Sequence, residues 1–405
     1  MKFDLNLRSQ VRTQLRSLAG EMSTWQSQTH LVDEDEVTQL RQAIGQFRHT
    51  SARASLTLAG VDGSGDFPSL SYADTFIYLS VAQGVMYAAD RLTGLREVPP
   101  GLDPLIQFCW LPMNRPIAQE ALDRTFTELA GMPMLEVIRQ SDYRALKAQV
   151  SRPVSVAELH RQLIRPDASD TGNLAIQLRS TAEFGAALRL IQGERPLDYV
   201  LVDTTYSLPL LSNRTNSLFY EHLKRLCCVE ARHRDIGFFA LSKSHGLPAI
   251  EKLEAIAADV TGAVTKAQAE HWYVRIPEAQ DGWSLSITEG RRLPPVGAVT
   301  YLVKFHRTTP VLRLDMDRQY WEMRVLGETE AETRENEQKI FEDLDYACHD
   351  QRAYGYPYPI KAAHDRSSLT RVEREAFRKQ IIAQAVQEGI SPALFRDASK
   401  ATGHG

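Results

Sequence analysis

The feature that most limits the fold is an alternation in the middle of the chain. Apolar positions recur at helical spacing over 174–192, and Gly193-Glu194-Arg195-Pro196 ends that helix. Leu197-Asp198-Tyr199-Val200-Leu201-Val202-Asp203 then reads as a strand, 213–231 as a helix, 235–241 as a buried strand and 248–259 as a helix. Strands separated by helices in this order pair in parallel through crossover connections. An α/β fold with a parallel centre is the expectation.

The flanks add antiparallel pieces. Residues 54–62 form an apolar strand that ends in Asp62, followed by Gly63-Ser64-Gly65-Asp66, with Asp66 assigned to a turn. Residues 72–87 are rich in β-branched and aromatic types and pair with it in an antiparallel hairpin; a helix from Val81 onward is the competing assignment. Strand-like patterning returns at 272–276, 284–288, 299–305 and 311–314. Helices are expected over most of 1–50, where Val11, Leu15, Leu18 and Met22 share one face, and over 116–165, 328–348 and 369–388. Residues 352–360 read as an aromatic, proline-containing loop. The whole is a mixed sheet flanked by helices, with 1–50 as a helical extension, 51–390 as the main domain, 101–170 as a helical insertion within it and 391–405 as a tail.

Composition narrows the class. With 405 residues, 43% of them hydrophobic, the chain can build one large core or two smaller ones. A net charge of −4 means that any nucleic-acid contact must come from a local basic surface. The four cysteines form no CxxC pair, Cys227 reads as a small buried residue, and a reducing, cytoplasmic compartment is expected. No window of 18 uninterrupted apolar residues exists, so no membrane span is expected. There is no GxxxxGK[ST] motif, so a motor activity would need a separate chain.

Asp62 and Asp203 both stand at strand ends. Side by side, such carboxylates can hold a Mg²⁺ or Mn²⁺ ion, which favours oxygen ligands. Two ions about 4 Å apart can activate a water and stabilise the leaving oxygen of a phosphodiester. Glu183, in Arg179-Ser180-Thr181-Ala182-Glu183, is the third carboxylate on the preceding helix; its plainer role is a solvated pair with Arg179 at i,i+4. Tyr356-Pro357-Tyr358-Pro359 is stiffened by two X-Pro bonds and leads to His364, which can ligate metal, move a proton or contact phosphate. Taken singly, Asp62-Gly63 is also an ordinary turn and His364 an ordinary loop histidine.

In this order, the Val61-Asp62-Gly63-Ser64 strand end, the Arg179-to-Glu183 helix, the Val200-Leu201-Val202-Asp203 strand end, Phe239-Ala240-Leu241-Ser242-Lys243 and the Tyr356-to-His364 block resemble the NurA nucleases. Members of that family partner the HerA hexameric translocase in DNA-end processing and, in some bacteria, in anti-phage systems. The resemblance runs over roughly 55–385. It implies an RNase H-like core, a homodimer, and Mn²⁺- or Mg²⁺-supported exo- and endonuclease activity on DNA. It also implies metal binding by Asp62, Glu183 and Asp203, a site completed by Tyr356 and His364, and a phosphate contact from Lys243. Asp203 is followed by Thr204-Thr205 where the family usually has Gly-Ser.

Basic residues supply weaker candidates. His222, Lys224, Arg225, Arg232, His233 and Arg234 cluster near one helix end and could track a DNA backbone, with a solvated helix face as the alternative. Arg291-Arg292, Lys304, His306 and Arg307 could line a DNA path. His271-Trp272-Tyr273 reads as core. Two rivals accompany the nuclease reading: a catalytically inactive adaptor docking on a hexameric ATPase, and an RNase H-like enzyme acting on RNA or hybrids.

Overall fold

The computed structural model describes residues 5–28, 34–49, 53, 55–65, 68–73, 75–90, 94–99, 101–211, 215–245, 247, 250–278 and 293–396. The expected strand at 284–288, Arg291-Arg292, the Asp66 turn and most of the tail lie outside these residues. Helices α1 (Leu5–Gln28) and α2 (Glu34–Ala43) lead to a short edge strand, β1 (Gly45–Gln46). An antiparallel block follows: β2 (Thr57–Ser64), β3 (Pro68–Tyr72), β4 (Thr75–Asp90), β5 (Gly94–Glu97) and β6 (Leu105–Trp110). Four helices come next, α3 (Arg115–Ala130), α4 (Met134–Gln140), α5 (Tyr143–Val150) and α6 (Val156–Arg161). The alternating segment forms α7 (Thr171–Gln192), β7 (Tyr199–Val202), α8 (Phe219–His233), β8 (Gly237–Ser242) and α9 (Ile250–Thr261). The chain then runs through β9 (Trp272–Arg275), β10 (Ala298–Lys304), β11 (Leu312–Asp317), α10 (Arg318–Arg324), α11 (Glu330–Cys348), α12 (Tyr358–Ser367), α13 (Arg371–Gln387) and β12 (Phe395–Arg396).

The strands join one mixed sheet in the order β1-β9-β10-β11-β8-β7-β2-β4-β3-β12, with β5 and β6 also paired to β4. Its centre is parallel, as the alternation requires: β2 pairs with β7, and β7 with β8. These strands are buried on both faces, which is why they read as continuous apolar runs. Ala59, Val61, Val200 and Val202 face the core under α3, α4, α7 and α8. Leu58, Leu201, Phe239 and Leu241 face the opposite core, shared with α11 and α12. Full burial of each such Leu or Val stabilises the fold by roughly 1.5–3 kcal/mol.

The mixed α/β sheet flanked by helices is therefore the observed architecture. Strand β4 also decides the competing assignment at Val81, because this stretch pairs with β2 on one side and β6 on the other. Three local expectations change. Residues 101–170 open with strand β6, whose exposed Ile106, Phe108 and Trp110 alternate with buried Leu105 and Cys109 and half-buried Gln107. The expected loop over 352–360 becomes helical from Tyr358, with Pro359 in the first turn, where its missing N–H costs no hydrogen bond. The end of the N-terminal segment joins the main sheet through β1 on β9, while Val11, Leu15, Leu18 and Met22 on α1 stay exposed. Among the described residues no helix is long and apolar enough to cross a membrane.

Candidate active site

The parallel register decides where the carboxylates meet. Val61 of β2 lies opposite Val202 of β7, so Asp62 and Asp203 leave adjacent strands at the same edge of the sheet. Asp62 is almost fully buried, and its Oδ1 accepts a hydrogen bond from the Gly63 N–H at 2.8 Å.

Helix α12 brings the histidine. It lies directly on β2 at Gly60, where a Cβ would stand 2.2 Å from the carbonyl carbon of Pro359. Only glycine permits that approach. The resulting contact sets His364 Nδ1 2.5 Å from Asp62 Oδ2. A carboxylate lacks a proton to give, so the imidazole donates this bond. The His364 side chain is 62% exposed above a carboxylate that is 5% exposed, so the pair joins the interior to solvent. His364 Nε2 points away from Asp62 and has the Ser368 hydroxyl at 3.4 Å.

Glu183 arrives from the other face. A Cβ on Gly63 would lie 2.7 Å from Glu183 Cγ and 3.1 Å from its Oε1, so the glycine makes room for that side chain. Arg179 Nε donates to Glu183 Oε1 at 2.8 Å, and its Nη2 stands 3.7 Å from Asp62 Oδ1. The i,i+4 pair expected as a solvated alternative is thus formed, and it also ties Glu183 electrostatically to Asp62. In the sequence Arg179 stands as that pairing partner and as the start of the Arg179-to-Glu183 motif, with no site role of its own. Its position one turn before Glu183 was the available signal.

Asp203 is about one-third exposed. Lys243, just beyond β8, places its Nζ 3.5 Å from Asp203 Oδ2 and 4.2 Å above the Tyr356 ring. Tyr356 itself is buried. Burial first, then the nearby charges of Asp203 and Asp62, push its hydroxyl well above the usual tyrosine range. That hydroxyl has no hydrogen-bond partner of ordinary geometry. The Thr204-Thr205 stretch is held from behind: Lys224 Nζ donates to the carbonyls of Thr205 and Ser207, and the Tyr206 N–H donates to Asp315 at 2.8 Å. Burial lowers the Lys224 pKa to about 8.

The structure gathers Asp62, Glu183, Asp203, Tyr356, His364 and Lys243 at one edge. It removes Arg225 from the DNA-contact candidates. Arg225 is buried, with its guanidinium on Asp142 at 2.7 Å and on Asp317 at 2.6 Å. Arg232 shares both carboxylates, and His222 and Lys224 are buried too. Lys304 is likewise buried and paired with Glu254. Arg307 is exposed in the β10–β11 connection, which lies at the same edge of the sheet as Lys243 because Arg313 of β11 pairs with Ser242. Trp272 and Tyr273 are core, as expected.

No protein-family model matches the chain, and no curated protein matches it. Among solved structures it is similar to the NurA nuclease from Sulfolobus solfataricus, at 12% identity over 96% of this chain and 99% of that one, with a TM-score of 0.49. It is also similar to a structure of NurA with manganese, at 12% identity over 93% and 98% of the two chains and a TM-score of 0.37. A third is NurA bound to dAMP and manganese, at 11% identity over 90% and 94%, with a TM-score of 0.34. These matches run along nearly the whole of each chain.

Proposed function

We propose that this chain is a divalent-metal-dependent DNA nuclease that hydrolyses phosphodiester bonds at the Asp62–Asp203 edge. The observation that carries the reading is the juxtaposition of these two strand-end carboxylates with Glu183 on one side and His364, bonded to Asp62, on the other. The donor set fits a hard cation. It is made of carboxylate oxygens, Asp62 keeps spare lone pairs after one bond to each oxygen, and the buried Tyr356 hydroxyl beside Asp203 meets no partner of ordinary hydrogen-bond geometry. Asp62, Glu183 and Asp203 would hold Mn²⁺ or Mg²⁺. Bound there, the cation supplies Lewis-acid stabilisation of the charge that develops on the phosphate.

The chain's own groups do the rest. Asp62 orients the His364 ring through Nδ1, which leaves Nε2 directed outward to exchange a proton or meet a phosphate oxygen. Lys243 offsets phosphate charge beside Asp203. Tyr356 keeps its proton, so it acts as a hydrogen-bond donor and not as a base. Arg179 holds Glu183 in place.

The finer assignments rest on the ordered motifs in the sequence: a homodimer, a HerA-like hexameric ATPase as partner, a cytoplasmic setting, and a role in DNA-end processing or anti-phage defence. The test is cleavage of linear, nicked, circular and single-stranded DNA with Mn²⁺, Mg²⁺ or EDTA, with and without the translocase. Wild-type protein is expected to cut in Mn²⁺ and not in EDTA. Asp62→Asn and Asp203→Asn should lose cleavage while keeping the wild-type circular dichroism spectrum. Full activity in either folded variant rules out the assignment, and inactivity of the wild type under every condition selects the adaptor reading.

A further inference from the structure

A second polar cluster sits at the same end of the sheet, separated from β7 by strands β10, β11 and β8. It gathers His49 just after β1, His271 just before β9, and Asp345 and His349 on the last turn of α11 and its cap. One ligand atom from each lies within 4.8 Å of the others. His49 Nδ1 is 2.9 Å from Asp345 Oδ2, while His349 Nδ1 and His271 Nε2 are 3.1 and 3.5 Å from Asp345 Oδ1. The edges of a tetrahedron with 2.0–2.2 Å metal–ligand bonds are about 3.3–3.6 Å. The observed spacings run from a few tenths of an ångström below that range to within it.

Two further observations point to a ligand. The Asp345 side chain is fully buried, yet its Oδ1 meets no hydrogen-bond partner of ordinary geometry, and neither does the buried His271 Nε2. His271 also holds a left-handed backbone, φ +59°, which a non-glycine residue adopts at some cost. The His49 and His349 rings are 4.0 Å apart between centroids.

We propose that His49, His271, Asp345 and His349 form a zinc site, separate from the carboxylate site and structural in role. Three imidazoles and one carboxylate suit Zn²⁺, whereas Mn²⁺ and Mg²⁺ favour all-oxygen sets. The protein fills all four tetrahedral positions, as structural zinc sites do. The ion ties the edge strands to the end of α11, immediately before the segment that delivers Tyr356. In that segment the Gly355 N–H donates to the Cys348 carbonyl at 2.6 Å. The inference does not depend on the nuclease reading.

The test uses full-length, tag-free protein carrying Asp62→Asn and Asp203→Asn, so that the carboxylate site contributes no ion. Protein is loaded with zinc chloride, passed over chelating resin and assayed for metal by mass spectrometry. One zinc per chain and a raised Tm are expected. Cobalt loading should give the intense visible bands of a four-coordinate site. His49→Ala, at a side chain that is 40% exposed, should keep the circular dichroism spectrum and lose both the zinc and the cobalt bands. His349→Ala should do the same. Should His349→Ala fail to fold, His49→Ala decides alone. A parent protein without zinc overturns the proposal, as does a folded His49→Ala that retains one zinc per chain.

Discussion

At the scale of single residues, the site depends on what Gly63 lacks. Any side chain there meets Glu183 at 2.7 Å, and the Val81 carbonyl stands 3.1 Å away on the other side. Gly63→Ala must therefore move the Glu183 carboxylate by several tenths of an ångström. A misplacement of about 1 Å can cost about 10²-fold in rate, which sets the upper bound on the loss here. Steady-state cleavage assays should show that loss in kcat with a Tm within a few degrees of wild type. Tyr356 offers a second check. Its raised pKa keeps the hydroxyl protonated at neutral and mildly alkaline pH. Tyr356→Phe removes a donor without emptying the space, so kcat should fall by roughly 10²-fold, the loss typical of a preorganised donor to developing charge. Wild-type kcat in Tyr356→Phe would leave the hydroxyl with no part in the reaction.

At the scale of elements, the contact between α12 and β2 makes the site possible. Gly60 lets the helix backbone touch the strand, and the obstacle to a Cβ is main chain, which cannot rotate away. Gly60→Ala should destabilise the protein by about 1–3 kcal/mol through overpacking and move His364 off Asp62, so thermal melts and cleavage should fall together. Helix α12 was also the element hardest to read. Pro357 and Pro359 look like loop residues until they are recognised as the cap and first turn of a helix, and then the segment that carries His364 follows. Asp62 and Asp203 were legible for the opposite reason, because an apolar run that stops at a carboxylate marks its own end. Helix α8 misled by its charge. Lys224, Arg225 and Arg232 read as a basic face in one dimension, but Arg225 and Arg232 pair with Asp142 and Asp317, and Lys224 with the Thr205 and Ser207 carbonyls, partners that no local pattern reveals. Arg225→Met leaves Asp142 and the buried Asp317 with Arg232 but takes away their second guanidinium, and should cost at most about 3–5 kcal/mol, read as a lowered denaturation midpoint with an unchanged m-value. The DNA affinity of the folded fraction should stay the same. A weakened affinity with normal stability would return Arg225 to the DNA-contact candidates.

At the scale of the molecule, a chain with a net charge of −4 must gather its cations where DNA would lie. The sheet arranges this. Asp62, Asp203 and Lys243 stand in or just beyond the last residues of its central strands, and the β10–β11 connection with Arg307 lies along the same edge, two strands from β8. A duplex following that edge would cross the carboxylates and contact both cations. Each phosphate contact releases counterions, and the slope of log K against log salt changes by about 0.9 per contact for duplex DNA. Asp62→Asn protein, which is expected to bind without cutting, allows the slope to be measured by fluorescence anisotropy between about 50 and 200 mM salt. Adding Lys243→Ala should make the slope shallower by about 1, and adding Arg307→Ala as well should bring the change to about 2, with little dependence on DNA sequence. If Arg307→Ala leaves the slope unchanged while Lys243→Ala reduces it, the DNA turns away from the sheet edge before β10, and the path must instead run toward the α12 side of the carboxylates.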